Sequence, residues 1–280
     1  PGGDAAPSGL DQHLQTPVVR RDWFVADRAD GFCLLLETAR PLRVRHSIDG
    51  GVRILGDLFE RGTGQLAAPT VVCPTPQAGL DDLCMHLTSA YWGRYVVLQP
   101  DRAGDMAALR DPSGAVDCVT WRTGPVMIAA SSIPDWLPST LAPRLTLNWA
   151  AVSRFLVDPA AFGSRCGLDG VTSIDPGMIH WPSSERTPTA VWRPASFARA
   201  PARVSPVEAR AAMVRVVDAC VTAFSATAGP MLAEVSGGLD SSIVASGLVG
   251  APTANVLQWV NFHAADLEGD ERRYARVLAE

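Results

Sequence analysis

The sequence predicts two architectures in succession: a layered α+β domain, then an α/β domain built on a parallel sheet. Three observations carry this. Short strand-like runs broken by turn residues fill the chain up to Ala130. From Ser205 onward, helical and strand-like segments alternate, as βα units do. Between one such strand and its helix stands Ser236-Gly237-Gly238-Leu239-Asp240-Ser241-Ser242, a glycine turn rich in hydroxyls.

The strand-like runs cover residues 31–38, 52–59, 95–99, 106–109, 116–121 and 126–130. Asp111-Pro112-Ser113-Gly114 has turn chemistry, with Pro at the second position and Gly at the fourth. Residues 80–90 read as a helix, with Leu80, Leu83, Cys84 and Leu87 at helical spacing. A second helix is expected over 148–157, with Asn148 as N-cap. The stretch 158–203 is rich in Pro, Gly, Ser and Thr, with a strand at 189–192. Ser205-Pro206-Val207-Glu208 is a capping box with Pro at the first helical position. It opens a helix reaching about Ala223, with an apolar stripe through Ala212, Val216, Ala219 and Cys220. Strand 231–235, the glycine loop, helix 241–248, strand 255–262 and helix 270–279 complete the pattern. Two strands alone do not make a parallel sheet buried on both faces, so the expectation is that the natural protein continues past Glu280.

Bulk properties narrow the function. With 280 residues the chain suits one large or two ordinary domains, and 47% hydrophobic residues suit a packed core. A formal net charge of −5 gives no electrostatic footprint for nucleic acid or an anionic membrane. No apolar run approaches the ~20 residues of a membrane span. Residues 1–10 have neither the basic start nor the apolar core of a signal peptide. A cytoplasmic protein with no nucleic-acid or membrane partner is expected. The six cysteines, Cys33, Cys73, Cys84, Cys118, Cys166 and Cys220, form no CxxC pair, so neither a zinc site nor a redox motif is indicated. Most are expected to be buried thiols. All 24 basic residues are arginine. Chemistry that needs a lysine therefore cannot be completed by these residues alone.

The glycine loop carries the chemistry. A strand, a glycine turn and a helix start in that order form an anion cradle, because the first helical N–H groups have no partner within the helix. Gly237 and Gly238 let the backbone approach a ligand with no Cβ in the way. Ser236, Ser241 and Ser242 add hydroxyl donors. Asp240 beside an anion calls for a cation between them, which points to a polyphosphate with Mg²⁺ and to Asp240 as its oxygen ligand. The alternative for a Ser-Gly-Gly turn is plain architecture, a tight turn followed by a helix cap. A Walker A loop is excluded, because no Gly-Lys-Ser/Thr follows.

The full string resembles the pyrophosphate-binding PP-loop, SGGxDS, of the N-type ATP pyrophosphatases, with the extra serine of the asparagine synthetase branch. Further segments resemble that family: Gln258 to Phe262, Glu268-Gly269-Asp270-Glu271-Arg272 to Tyr274-Ala275, Trp92-Gly93-Arg94-Tyr95-Val96-Val97, Arg110-Asp111-Pro112-Ser113-Gly114, and 163–177. The resemblance implies a glutaminase-like, Ntn-type α+β sandwich over 1–146, a connecting segment over 147–203, and the start of a PP-loop ATP-binding synthetase domain over 204–280.

In such glutaminase domains the nucleophile is an N-terminal cysteine whose own amine serves as base. Here the chain begins Pro1-Gly2-Gly3, the first cysteine is Cys33, and Gly56-Asp57-Leu58-Phe59 stands where an Asn-Gly-Glu segment would hold glutamine. The resemblance therefore implies a degenerate glutaminase domain and an amine supplied by the substrate. Within the family the wording is most similar to the lasso peptide cyclases. These adenylate an Asp or Glu side chain of a precursor peptide and close a macrolactam on its N-terminal amine, alongside a leader peptidase and a leader-binding protein. An asparagine synthetase, a β-lactam synthetase-like enzyme, or a non-catalytic nucleotide- or peptide-binding relative are the alternatives. The implied cofactors are ATP and Mg²⁺. The implied site is Ser236, Gly237, Gly238, Ser241 and Ser242 for pyrophosphate, Asp240 for the metal, and Val235, Val260 and Asn261 as the adenine wall. Asp266, Glu268, Asp270 and Glu271 read either as partners of a helix dipole or as metal ligands. The family's second Mg²⁺ carboxylate and its lysine would lie beyond Glu280.

Overall fold

The computed structural model describes residues 21–29, 31–39, 41–73, 79–100, 105–158, 166–199, 201–263 and 270–279. The N-terminal residues, the segment 163–165, Asp266 and Glu268 lie outside the described residues. The chain divides into two compact units, one of 1–62 with 67–199 and one of 63–66 with 200–280.

The first unit is built on a seven-stranded sheet. Its strands are β3 (Val44–Ser47), β4 (Arg53–Glu60), β5 (Thr70–Val71), β6 (Tyr91–Pro100), β7 (Met106–Arg110), β11 (Met178–His180) and β12 (Thr189–Ala190), in the order β12-β11-β7-β6-β4-β3-β5. Two smaller sheets accompany it: β1 (Trp23–Ala29) with β2 (Phe32–Glu37), and β8 (Val119–Thr123) between β9 (Val126–Ala130) and β10 (Thr172–Ser173). Strand side chains alternate between faces, and both faces of the large sheet are covered. Ile54, Leu58, Tyr95, Val97, Ala107 and Leu109 point to one core, where helix α1 (Leu80–Ala90) adds Leu83, Cys84 and Leu87. Leu55, Val96, Leu98, Met106 and Ala108 point to the other, with Leu34 and Leu36 of β2, Cys118 and Ile174. This is why these strands read as continuous apolar runs rather than alternating ones.

Several elements escape a pattern reading. Strands β1 and β3 carry charged and polar residues (Asp27, Arg28, Arg45, His46) and give no clean alternation. β6 begins at Tyr91, directly after α1, four residues before its apolar stretch. The segment 147–203 adds helix α2 (Trp149–Val157), strands β10, β11 and β12 and the short helix α3 (Pro194–Ala198). Its strands hydrogen-bond into the sheets of the first unit, β10 on β8 and β11 on β7. Asn148 caps α2, its side chain accepting from the Ala151 N–H at 2.9 Å. Two of the six thiols, Cys84 and Cys118, are buried; the other four are half-buried, which corrects the expectation for most of them.

Two polar features organise the sheet. The Asp111 carboxylate is fully buried and accepts from the N–H groups of Tyr95 (3.1 Å), Ser113 (2.7 Å) and Gly114 (3.2 Å). The Asp111-to-Gly114 turn therefore has a structural explanation. Asp57 on β4 faces Arg94 on β6. One of its oxygens pairs with Arg43, and the other accepts from Arg94 Nε at 2.9 Å. Gly56 and Gly93 flank this pair at φ of 125° and 140°, and a Cβ at either would lie 2.2 Å from a carbonyl oxygen of the opposite strand. Only glycine admits that approach.

The second unit contains helix α4 (Pro206–Thr227), strand β13 (Met231–Glu234), helix α5 (Leu239–Gly250), strand β14 (Val256–Val260) and helix α6 (Arg272–Ala279). β13 and β14 pair in parallel. The capping box is formed: Ser205 accepts from the Glu208 N–H, and Glu208 accepts from the Ser205 N–H at 2.9 Å. The covered face of α4 differs from the expected stripe. Of that stripe Cys220 is half-buried, but Ala212, Val216 and Ala219 are exposed, whereas Val217, Val221, Phe224 and the buried Ala223 are covered. Val221 packs on the Cα side of Gly247 in α5. Among the described residues, only the C-terminal half of α4 is covered, so the face was set by where α5 lies rather than by the helix's own periodicity.

Candidate functional site

The glycine loop joins the end of β13 to α5. The helix begins at Leu239 rather than 241, which places Asp240, Ser241 and Ser242 in its first turn and makes Gly238 the N-cap. Gly238 offers no side-chain oxygen, so α5 starts without a side-chain cap. Helices α2 and α4, by contrast, are capped by Asn148 and Ser205. The nearby hydroxyls are used differently. Ser242 and Ser241 donate back to the Gly238 carbonyl at 2.6 and 3.2 Å, Ser236 and Ser241 lie 3.0 Å apart, and the Gly238 N–H donates to Ser236 at 3.2 Å. This network holds the turn while leaving the first-turn N–H groups without a side-chain acceptor, the condition for anion binding at a helix start.

The two glycines do different work. Gly238 has ordinary extended dihedrals (φ −73°, ψ 167°), and a Cβ there would meet only Ser236 Oγ at 3.3 Å. Gly237 has φ of 87°, and a Cβ would fall 2.5 Å from Tyr274 Cβ and 2.6 Å from the Ala275 nitrogen. What demands glycine at 237 is helix α6 packed against the loop, not a ligand's approach.

Asp240 is exposed in the first turn and makes no hydrogen bond or ion pair among the described residues. No group of three His, Cys, Asp or Glu side chains able to hold a metal occurs among those residues. One carboxylate with neighbouring hydroxyls suits Mg²⁺, which keeps waters and phosphate oxygens as most of its ligands. It does not suit a metal held by protein alone. Of the acidic cluster, Asp270 accepts from the Arg272 N–H at 3.2 Å and pairs with its guanidinium at 2.6 Å. The Arg272 hydrogen bond is the main cause holding the Asp270 carboxyl well below the usual carboxylate range. Glu271 is exposed one residue before α6.

Val235, Val260 and Asn261 come together at the paired strand ends. The Val235 N–H donates to the Val260 carbonyl at 2.8 Å, and Asn261 Nδ2 donates to the Val235 carbonyl at 2.7 Å. Asn261 Oδ1 is buried without a partner among the described residues. All three residues line one cavity of about 780 Å³, a volume usual for small-molecule sites. Its walls include Ala245 and Val249 of α5, Trp259 of β14 and Leu278 of α6, with the cationic side chains of Arg272 and Arg276 and the imidazole of His263. Pattern reading missed these residues. The only available signal was the i, i+4 spacing of Arg272 and Arg276, which also suits a solvated helix face.

No protein-family model matches the chain, and no curated protein matches it. Among the described residues, no helix is long and apolar enough to cross a membrane.

Proposed function

We propose that the protein is an ATP-dependent, AMP-forming carbon–nitrogen ligase of the PP-loop kind, acting in the cytoplasm on a peptide. Its reaction would adenylate an Asp or Glu side chain of a precursor peptide and close a macrolactam with the peptide's N-terminal amine. One observation carries this reading. The SGGLDSS string lies between a parallel strand and a helix that starts without a side-chain cap, with Asp240 exposed beside it. The neighbouring cavity, with apolar walls and cationic side chains, suits a base joined to phosphate.

In this scheme a peptide carboxylate attacks the α-phosphorus of ATP, the P–O bond to the β-phosphate breaks, and pyrophosphate leaves. The peptide amine then attacks the acyl carbon, AMP leaves with the bonding electron pair, and the ammonium proton passes to solvent. The first-turn N–H groups of α5 bind the leaving pyrophosphate, where negative charge grows, and the Ser236, Ser241 and Ser242 hydroxyls rotate to it from the bonds they make within the turn. Asp240 would hold Mg²⁺, which when bound neutralises phosphate charge and orients the chain. Asp57 supports an amine drawn from the peptide rather than from glutamine. Its two oxygens are paired with Arg43 and Arg94, which neutralise the charge that would draw a glutamine amine. A precursor peptide, a leader peptidase and a leader-binding protein are the partners this scheme needs.

The test is pyrophosphate release by the full-length protein with its peptide, measured for wild type and Asp240→Ala. The variant is expected to lose release by at least ~10²-fold while its thermal unfolding stays within a degree or two, because Asp240 touches no core. Release that persists in the variant removes Asp240 from the mechanism. Glutamine hydrolysis by the wild type would restore the amidotransferase reading.

A further inference from the structure

The cavity beside the loop has an asymmetric charge. Its polar lining includes His263, Arg272 and Arg276, and no carboxylate lines it among the described residues. Arg272, Ala275 and Arg276 occupy one face of α6 at i, i+3 and i+4 spacing, so their side chains share that wall. Arg272 is held by Asp270, at 2.7 Å from Nε and 2.6 Å from Nη2. Arg276 pairs with no acid among the described residues. Side chains on a helix lean toward its N-terminus, a direction that brings Arg276 within reach of the turn that carries Arg272, and both residues line the cavity. That turn touches the glycine loop through Tyr274 and Ala275 at Gly237.

A phosphate chain reaching from the cavity to the loop would thus meet two anion sites in order. The first is the pair of guanidiniums on α6, and the second is the uncapped start of α5. We propose that Arg276, assisted by Arg272, binds the phosphate nearest the base. The cavity and α6 then hold the nucleoside monophosphate half of ATP, while the loop holds the pyrophosphate half. This rests on the ATP reading above. Arginine suits the role, since its planar fork matches two phosphate oxygens and it keeps its charge when desolvated. The chain has no lysine that could substitute. Arg272 would pass from the Asp270 carboxylate to the phosphate, so Asp270 acts as a positioning residue that keeps the guanidinium at the cavity mouth.

The experiment is calorimetric titration of the full-length protein with ATP–Mg²⁺, AMP and pyrophosphate–Mg²⁺. Arg276→Ala is expected to weaken AMP and ATP by a similar factor, ~10-fold, and to leave pyrophosphate unchanged. Arg276→Lys should recover part of the loss, which a merely structural role would not produce. Ser242→Ala should show the converse, weakening ATP and pyrophosphate but not AMP. If the wild type binds AMP and Arg276→Ala binds it equally well, the assignment of the α6 arginines is overturned and the ATP reading stands. If Arg276→Ala loses pyrophosphate as much as AMP, the division into two halves is overturned. If the wild type binds neither ATP nor pyrophosphate, the ATP reading falls and this inference with it. Unfolding midpoints measured alongside separate affinity from folding.

Discussion

Replacing Gly237 by alanine tests the loop's construction independently of any ligand. At φ of 87° the backbone is left-handed, which costs an alanine about 1–2 kcal/mol relative to glycine. The new Cβ would also fall 2.5 Å from Tyr274 Cβ and 2.6 Å from the Ala275 nitrogen, well inside contact distance. The second atom belongs to backbone, so no rotamer change relieves the clash, and overpacking of this kind costs about 1–3 kcal/mol. Together the loss is roughly 2–5 kcal/mol, which for a unit of this size lowers the urea midpoint on the order of 1–4 M. Gly238→Ala is the control. Its dihedrals suit any residue and its Cβ meets only a serine hydroxyl at 3.3 Å, so about 1 kcal/mol or less is expected, mostly from a weaker N-cap preference. The assay is a urea series read by amide exchange of peptides spanning 231–250, which reports the second unit alone. Equal midpoints for the two alanine variants would refute the contact between α6 and the loop, and with it the wall that carries Arg272 and Arg276.

Asp57→Asn should destabilise the first unit by about 2 kcal/mol, because a buried carboxylate that neutralises Arg43 and Arg94 is lost while both arginines keep partial access to water; chemical denaturation checks this, and an unchanged midpoint would show the pair to be idle. The Glu208 carboxyl is held below its ordinary value of 4.5, first by the Ser205 N–H and then by the Ser205 hydroxyl. A depressed folded-state value means that its contribution to stability is present above pH ~4.5 and fades as pH falls through the folded value. Protection against amide exchange over 206–212, taken relative to the intrinsic rate at each pH, should therefore fall below that pH in wild type, and much less so in Glu208→Gln. Equal pH dependence in the two proteins would refute the capping box as its cause.

Legibility followed the range of the interactions. The helix starts at Asn148 and Ser205 were readable because a cap is made between residues three apart in the chain. Strands β4, β6 and β7 of the large sheet were readable as apolar runs, since burial on both faces removes the need for alternation. Strands β1 and β3 were not, because their polar residues are satisfied by distant partners: Arg53 holds Asp27 at 2.9 Å, and Arg45 is buried on the carbonyls of Gly56 and Ala67. The stripe on α4 failed for the same reason. Its exposed and covered faces are similarly apolar, and only the position of α5 distinguishes Val221 from Val216.

The sequence by itself determined the glycine loop, its serines and Asp240, because an anion cradle is a local device of seven consecutive residues. It also determined the parallel βα order around them. Tertiary structure decided what surrounds that loop. It set Tyr274 and Ala275 against Gly237, gathered Val235, Val260 and Asn261 with Arg272 and Arg276 around one cavity, and engaged both oxygens of Asp57. These are meetings of residues up to 41 positions apart, on separate elements, and side-chain directions across separate elements depend on how the elements pack, which no local pattern encodes.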